Sequence, residues 1–470
     1  MDFYNEHDED EELISLIGRF DKMLQSGDYY FFDVDEFEQV IDHYLINNQL
    51  DKSDIAIRYA LEQHPRSSTF MLRQAQLLIS KNKINKALDL LAEVEEMEPE
   101  NTDVFLTKAG IYSQLKRYEK AIEEYNKALR EAEDLEDVYT NIAFEYENLG
   151  KYDKAIEYLM KVLDLNPENE AVIYELSFCF EISSKTTESI SYFTGFLDKN
   201  PYSKAAWFNL GIAFNNGSLY EKAIEAYDFA LAIDDTFSSA YFNKANSFAN
   251  LEKFEEAIAS YEETFRYEEP EAMTYFYIGE CFEKLSSFTK ALQNYRKSLE
   301  LDPLLADAWV SIAMIYVDQG KQKVAINHIH KAIDIEPMNS EYWYMLADVL
   351  VETSDLQAAI EAYEKSADLD PLNPDIWLDF SHGYILLDDI EAAIEILNKG
   401  MHEQIGNASL LYRKFVYLVR SKKFKQAYEI LEEALMMDYE PHLEIFEYDQ
   451  ELENDANLLR IIELYKSQDF

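Results

Sequence analysis

The chain has 470 residues, of which 48% are apolar, enough for a large buried core. Its formal net charge is -50, from 92 acidic and 42 basic residues; such a surface repels phosphate backbones, which argues against nucleic acid as a partner and favours basic ones. No apolar run reaches the roughly 18 residues of a membrane-spanning helix, and the acidic start MDFYNEHDEDEE does not read as a secretory signal.

Residues 1–33 read as an acidic leader and one helix. Leu13, Leu16, Ile17, Phe20 and Leu24 recur at helical spacing, and Gly27 and Asp28 end the pattern. From Val34 a 34-residue period takes over: Pro65, Pro99, Pro167, Pro201, Pro303, Pro337 and Pro371 are separated by multiples of 34. A proline cannot continue the preceding helix, so each closes one unit and opens the next. Glu133, Asp235 and Glu269 stand where prolines are missing, yet the frame runs without net insertion to Pro441, giving twelve repeats over 34–441. The N-terminal helix is expected to cap the apolar face of the first repeat.

With Val34 as position 1, position 20 is alanine in ten repeats and serine in two, Ser53 and Ser189. Position 8 is small in ten repeats, the exceptions being Ile41 and Phe415 at the two ends. Small residues there let two helices approach closely. Positions 4, 7, 8 and 11 make one helical stripe and positions 20, 24 and 27 a second, and all four tryptophans fall at position 4. The clearest copy is Lys204 to Phe237: two amphipathic helices around a turn at Asn216-Gly217-Ser218, with Gly211, Ala223 and Ala230 at the close approaches. The stretch Ile182 to Pro201 departs from it. Ser189 replaces alanine, Phe196 fills a usually small position, and Thr186, Thr187 and Gly195 weaken the helix. A distorted stacking step is expected there, with simple drift of a tolerant repeat as the alternative. After Pro441, Leu458, Leu459, Ile462 and Leu464 suggest one final capping helix within 442–470. Cys179 and Cys281 lie 102 residues apart, three repeat lengths. They take the same place in non-adjacent repeats and are expected to be buried, free thiols of a reducing cytoplasm.

This pattern resembles the tetratricopeptide repeat, most plainly in Trp207/Leu210/Gly211/Phe214/Ala223/Tyr227/Ala230 and Trp309/Ile312/Ala313/Tyr316/Ala325/Ile329/Ala332. The resemblance implies an all-α, right-handed solenoid of helical hairpins whose first helices line a concave face. Pentatricopeptide repeats, the nearest rival, differ in period and are usually basic RNA binders.

The resemblance also implies which residues meet a ligand. Carried over, position 5 gives Tyr174, Phe208, Phe242 and Phe276; position 6 gives Asn141, Glu175, Asn209, Asn243 and Tyr277; positions 9, 12 and 13 add Asn215, Asn216, Asn246, Asn250 and Glu280. Asparagine amides would grip a peptide backbone without reading its sequence. The rings would add apolar contact, or else pack against the neighbouring first helix. Glu147, Glu175, Glu181, Glu280 and Glu283 on that face would select lysine- or arginine-bearing segments. Arg413 and Arg420 take groove positions in the last repeat. They would bind a carboxylate or phosphate, or pair with the acidic stretch Glu444 to Asp455.

No catalytic or cofactor motif is present, no Cys or His spacing fits a metal site, and His328 and His330 point to different faces of a helix. The expected function is a non-enzymatic, cytoplasmic interaction scaffold or adaptor, free of cofactor and metal, that captures an extended or helical basic segment of another protein. The alternative is a regulatory or chaperone-like subunit of an enzyme or secretion complex. Exposed tyrosines would also allow self-association.

Overall fold

The computed structural model describes residues 5–27 and 29–466; Asp28, placed by the sequence at a helix end, lies outside them. Among the described residues there is no strand. The chain forms two compact units, up to Ala240 and from Tyr241. The first holds α1 (Asn5–Ser26) and six hairpins: α2 (Val34–Ile46) with α3 (Leu50–Gln63), α4 (Ser68–Ser80) with α5 (Ile84–Met97), α6 (Thr102–Gln114) with α7 (Tyr118–Ala128), α8 (Leu135–Asn148) with α9 (Tyr152–Leu165), α10 (Glu170–Ile182) with α11 (Thr186–Lys199), and α12 (Lys204–Asn216) with α13 (Tyr220–Ile233). The second continues with α14 (Ser238–Asn250), whose first turn belongs to the first unit, and α15 (Phe254–Thr264), then α16 (Ala272–Lys284) with α17 (Phe288–Leu301), α18 (Ala306–Asp318) with α19 (Gln322–Ile335), α20 (Ser340–Glu352) with α21 (Leu356–Leu369), α22 (Pro374–Leu386) with α23 (Ile390–Glu403), and α24 (Ala408–Arg420) with α25 (Phe424–Met437). It closes with two short 3-10 turns, Glu440–Leu443 and Gln450–Asn454, and the helices α26 (Glu444–Tyr448) and α27 (Ala456–Lys466).

Each hairpin is built by the same local devices. Most first helices start at a serine, asparagine or aspartate whose side chain accepts a backbone N–H of the first turn, as Ser67, Asn101, Asn169, Ser203, Asn373 and Asn407 do. Every first helix ends in a left-handed residue at position 15, from Asn48 to Lys422, with φ between +55° and +68°. Its own amide and the one after it return to the last carbonyls: Ser218 N–H donates to Asn215 O at 2.9 Å and Leu219 N–H to Phe214 O at 2.8 Å. In this copy Ser218, at φ +56°, takes the left-handed place. Gly217, singled out from the sequence as part of the turn, has φ -86°.

The tryptophans explain their partnership with proline. The indole N–H of Trp207, Trp309, Trp343 and Trp377 donates to the carbonyl of Pro201, Pro303, Pro337 and Pro371 at 2.9–3.0 Å. Proline is not needed to stop the helix before it, since α13 ends at Ile233 ahead of Asp235. Where Glu133 and Glu269 replace it, however, α7 and α15 stop early, at 11 residues rather than 14.

The small positions are as tightly packed as their size suggests. Position 20 is fully buried in eleven repeats, and Ser189 is 4% exposed. A Cβ on Gly211 would lie 2.4 Å from Tyr227 Cε1, and one on Gly279 2.6 Å from Tyr295 Cε1. The Tyr227 and Tyr295 rings at position 24 occupy that space in these two repeats, so glycine is required opposite them, whereas Ala245 stands opposite Tyr261.

The irregular repeat keeps its helix: α11 spans 14 residues like its counterparts. Its hairpin is nevertheless the loosest of the first unit, and α10 also lies directly against α12. Phe180, Tyr192, Phe193 and Phe196 form a chain of ring contacts at 5.5–6.3 Å between α10 and α11, with Phe196 at a position that is usually small. The distortion is thus an opened hairpin and not a broken helix.

At the N-terminus, Phe20 of α1 is fully buried among Phe32, Phe37, Tyr44 and Tyr59, with ring centroids 5.7–6.2 Å away. The final helix suggested by Leu458, Leu459, Ile462 and Leu464 is α27, at the end of a segment of several short pieces. Asp449 and Asp455 are extended and interrupt that segment, and Ile445, Leu452, Leu458 and Ile462 are buried while Leu459 and Leu464 stay exposed. Cys179 and Cys281 are both buried and unpaired. No described helix is long and apolar enough to cross a membrane.

Candidate functional site

In the first unit the first helices stand side by side. The Cys179 thiol of α10 donates to Glu147 Oε1 of α8 at 3.6 Å, and the Tyr174 ring of α10 meets Phe208 of α12 edge-on at 6.2 Å. The three helices therefore share one face. On it Phe144 is 55% and Phe178 48% exposed, with exposed Asn141, Asn148, Glu175 and Glu181 around them. Phe144 and Phe178 both occupy position 9 in consecutive repeats. The sequence reading missed them; the position-9 rule that gave Asn246 and Glu280 also points to them, and no other signal was needed.

Several expected groove residues are placed elsewhere. Phe208 is 7% exposed and packs on Tyr227 and Phe237 as well as Tyr174; Phe276 is 6% exposed against Tyr277 and Tyr295. Phe208 meets the neighbouring first helix through Tyr174, the alternative the sequence left open, whereas Phe276 packs within its own hairpin. Phe242 is half-buried on Tyr261 and Tyr277, and only Tyr174 keeps a third of its surface open. Asn209 is buried, its amide donating to Ala205 O at 2.8 Å, so it cannot hold a peptide. Asn141 is exposed, though its amide donates to Asp137 O at 2.8 Å. Asn216 is exposed at the end of α12. In the second unit Asn246 accepts the Tyr261 hydroxyl at 2.5 Å, Asn243 and Tyr277 are half-buried, and Glu280 is exposed. Surrounding protein mass, with Glu283 and Asp307 nearby, pushes the Glu280 carboxyl up against the opposing pull of Lys284.

Electrostatics sharpen the first-unit face. Glu147, Glu175 and Cys179 bring their donor atoms within 4.8 Å of one another. Burial, and then the neighbouring Glu175 carboxyl, raise Glu147 to about 7. Burial also pushes the Cys179 thiol far up, which suits a hydrogen-bond donor to Glu147 better than a thiolate metal ligand. Beside this face, where α7 stops early, a cavity of about 660 Å³ is lined by Asp103, Glu131, Glu133, Asp134 and Asp137 together with Asn141.

Arg413 and Arg420 do not form an open anion site. The Arg413 guanidinium lies 3.4 Å above the Tyr448 ring centroid, and Arg420 donates to Asp449 Oδ2 at 3.1 Å and Tyr448 O at 2.7 Å. Both fasten the C-terminal segment, as the second of the two sequence readings had it.

The comparisons with known proteins agree with the repeat frame. Models described as tetratricopeptide repeat match residues 136–169, 78–140 and 350–410, and 183–236, 242–306 and 310–374. The first of these is one repeat in the register read from Val34. No curated protein matches the chain. Solved structures similar to it include yeast Tom70, at 15% identity over 91% of this chain and 98% of that one with a TM-score of 0.42. Another is the APC/C hetero-tetramer Cut9-Hcn1, at 14% identity over 88% and 95% with a TM-score of 0.40. A third is the C-terminal part of a TPR repeat-containing protein from Cytophaga hutchinsonii, at 16% over 54% and 98% with a TM-score of 0.44. These values are too low to carry an argument, and the assignment rests on the repeats themselves. Matched over well more than half its length, and folded as stacked helical hairpins, the chain belongs to the tetratricopeptide-repeat family, an α-solenoid scaffold for protein interaction.

Proposed function

We propose that the shared face of α8, α10 and α12 captures a basic, amphipathic segment of another protein, extended or helical, without catalysing any reaction on it. The observation that carries this reading is the pair Phe144 and Phe178, about half-exposed at the same position in consecutive repeats and flanked by Glu175 and Glu181. Aromatic rings held out on a rigid helix give apolar contact at low entropic cost. The carboxylates around them attract a cationic segment and set its register. The acidic cavity beside Asn141 extends the same preference to a lysine or arginine side chain. A net charge of -50 disfavours nucleic acid on this face, and the two free thiols suit a cytoplasmic setting.

The test is fluorescence anisotropy with two synthetic peptides of one leucine pattern, one carrying lysines and the other glutamates. The lysine peptide should bind saturably, and Glu175→Lys with Glu181→Lys should weaken it by roughly tenfold or more. Added salt should weaken it further. Equal affinity for the two peptides would contradict the reading.

A further inference from the structure

A different surface of the second unit carries a feature that the groove does not use. Four turns between hairpins each hold a large aliphatic side chain out in solvent: Leu304 is 71% exposed, Met338 77%, Leu372 70% and Ile405 93%. They recur once per repeat, the first three at intervals of 34 residues and the last after 33. Single exposed aliphatics are ordinary, but a periodic row of them is not scatter.

The turns hold these side chains outward. Pro303, Pro337 and Pro371 fix the backbone just before the first three. In two turns an aspartate locks the residue itself: Leu304 N–H donates to Asp302 Oδ1 at 2.9 Å and Leu372 N–H to Asp370 Oδ1 at 3.3 Å. These bonds order the backbone that carries Leu304 and Leu372. Exposed carboxylates lie in or beside the turns, namely Asp302, Glu336, Glu341, Asp375 and Glu403.

A helix lying along the row would need an apolar stripe on one face to cover the knobs, and an apolar residue at every seventh position keeps such a stripe on one face over several turns. Lysines or arginines on either side of that stripe would face the carboxylates. We propose that this row is a second docking edge, and that its occupant is a basic, amphipathic α-helix of a partner protein with heptad-spaced apolar residues. It stands independently of the groove.

The probe is a synthetic lysine–alanine helix with one leucine per heptad, titrated by anisotropy into the full chain carrying Phe144→Ala and Phe178→Ala, so that the groove cannot answer for the edge. Saturable binding is expected. Adding Leu304→Ser, Met338→Ser, Leu372→Ser and Ile405→Ser should weaken it by roughly tenfold or more. These four sites are exposed, and circular dichroism should show the helical content unchanged. The proposal is overturned if no saturable binding occurs, if a peptide of the same composition without the heptad spacing binds as well, or if the serine variant binds equally. It is also overturned if sedimentation shows the free chain to be a dimer that the serine variant dissolves, since the occupant would then be a second copy.

Discussion

Gly211 shows how far a single atom decides the packing. Its place was legible because position 8 is small in ten of the twelve repeats, but the choice of glycine over alanine was not. It depends on the Tyr227 ring, whose Cε1 would sit 2.4 Å from an added Cβ. Tyr227 is fully buried and cannot swing away. Gly211→Ala should therefore destabilise by about 1–3 kcal/mol through overpacking, measured as a lower urea midpoint. Ala245→Gly, at the equivalent position of the next repeat, relieves no such clash and serves as the comparison. Glu147 makes a second prediction at this scale. Its carboxyl is raised to about 7 by burial and by Glu175, so the folded state holds a proton that the unfolded chain releases at lower pH. That stabilising contribution is complete below the ordinary carboxylate range and is lost as pH rises through about 7. Glu147→Gln removes the ionisation, so its advantage over the natural chain in urea unfolding should grow between pH 5 and pH 8. An advantage that shrinks over that interval would contradict the assignment. Deprotonation of the same group adds negative charge to the proposed binding face, so lysine-peptide affinity should rise over the same interval.

At the scale of elements, the period made nearly everything legible. The first helices begin and end where the frame from Val34 places them, because capping residue, left-handed turn and small contacts all repeat together. What the period could not show is how far apart two helices of one hairpin sit. Phe196 and Ser189 signalled trouble in α11, and the trouble proved to be an opened hairpin with intact helical hydrogen bonding. Such a helix is held less by its partner, and local opening should be easier there. Amide hydrogen exchange in 186–199 should accordingly be faster than in 220–233; equal or slower exchange would show that the four-ring cluster compensates fully. In the C-terminal segment the pattern Leu458, Leu459, Ile462 and Leu464 showed α27, but the pieces before it are too short for the helical period to show itself, and Asp449 and Asp455 interrupt them with extended backbone.

For the molecule as a whole, the family and the scaffold role were legible, while the proposed binding face was legible only in outline. The same first-helix positions serve two purposes. Position 5 turns toward the neighbouring helix, which buries Phe208 and Phe276, and position 9 turns toward solvent, which leaves Phe144 and Phe178 open. The position rule names both as groove residues, and only the stacking of hairpins decides that Phe208 and Phe276 are covered while Phe144 and Phe178 are not. The central claim is that α8, α10 and α12 receive a basic amphipathic segment. Hydrogen exchange of the full chain with and without the lysine–leucine peptide tests it most directly. Slowed exchange concentrated in 135–148, 170–182 and 204–216, and absent from the Phe144→Ala, Phe178→Ala variant, is the predicted result. Binding without protection in those three helices would contradict the account.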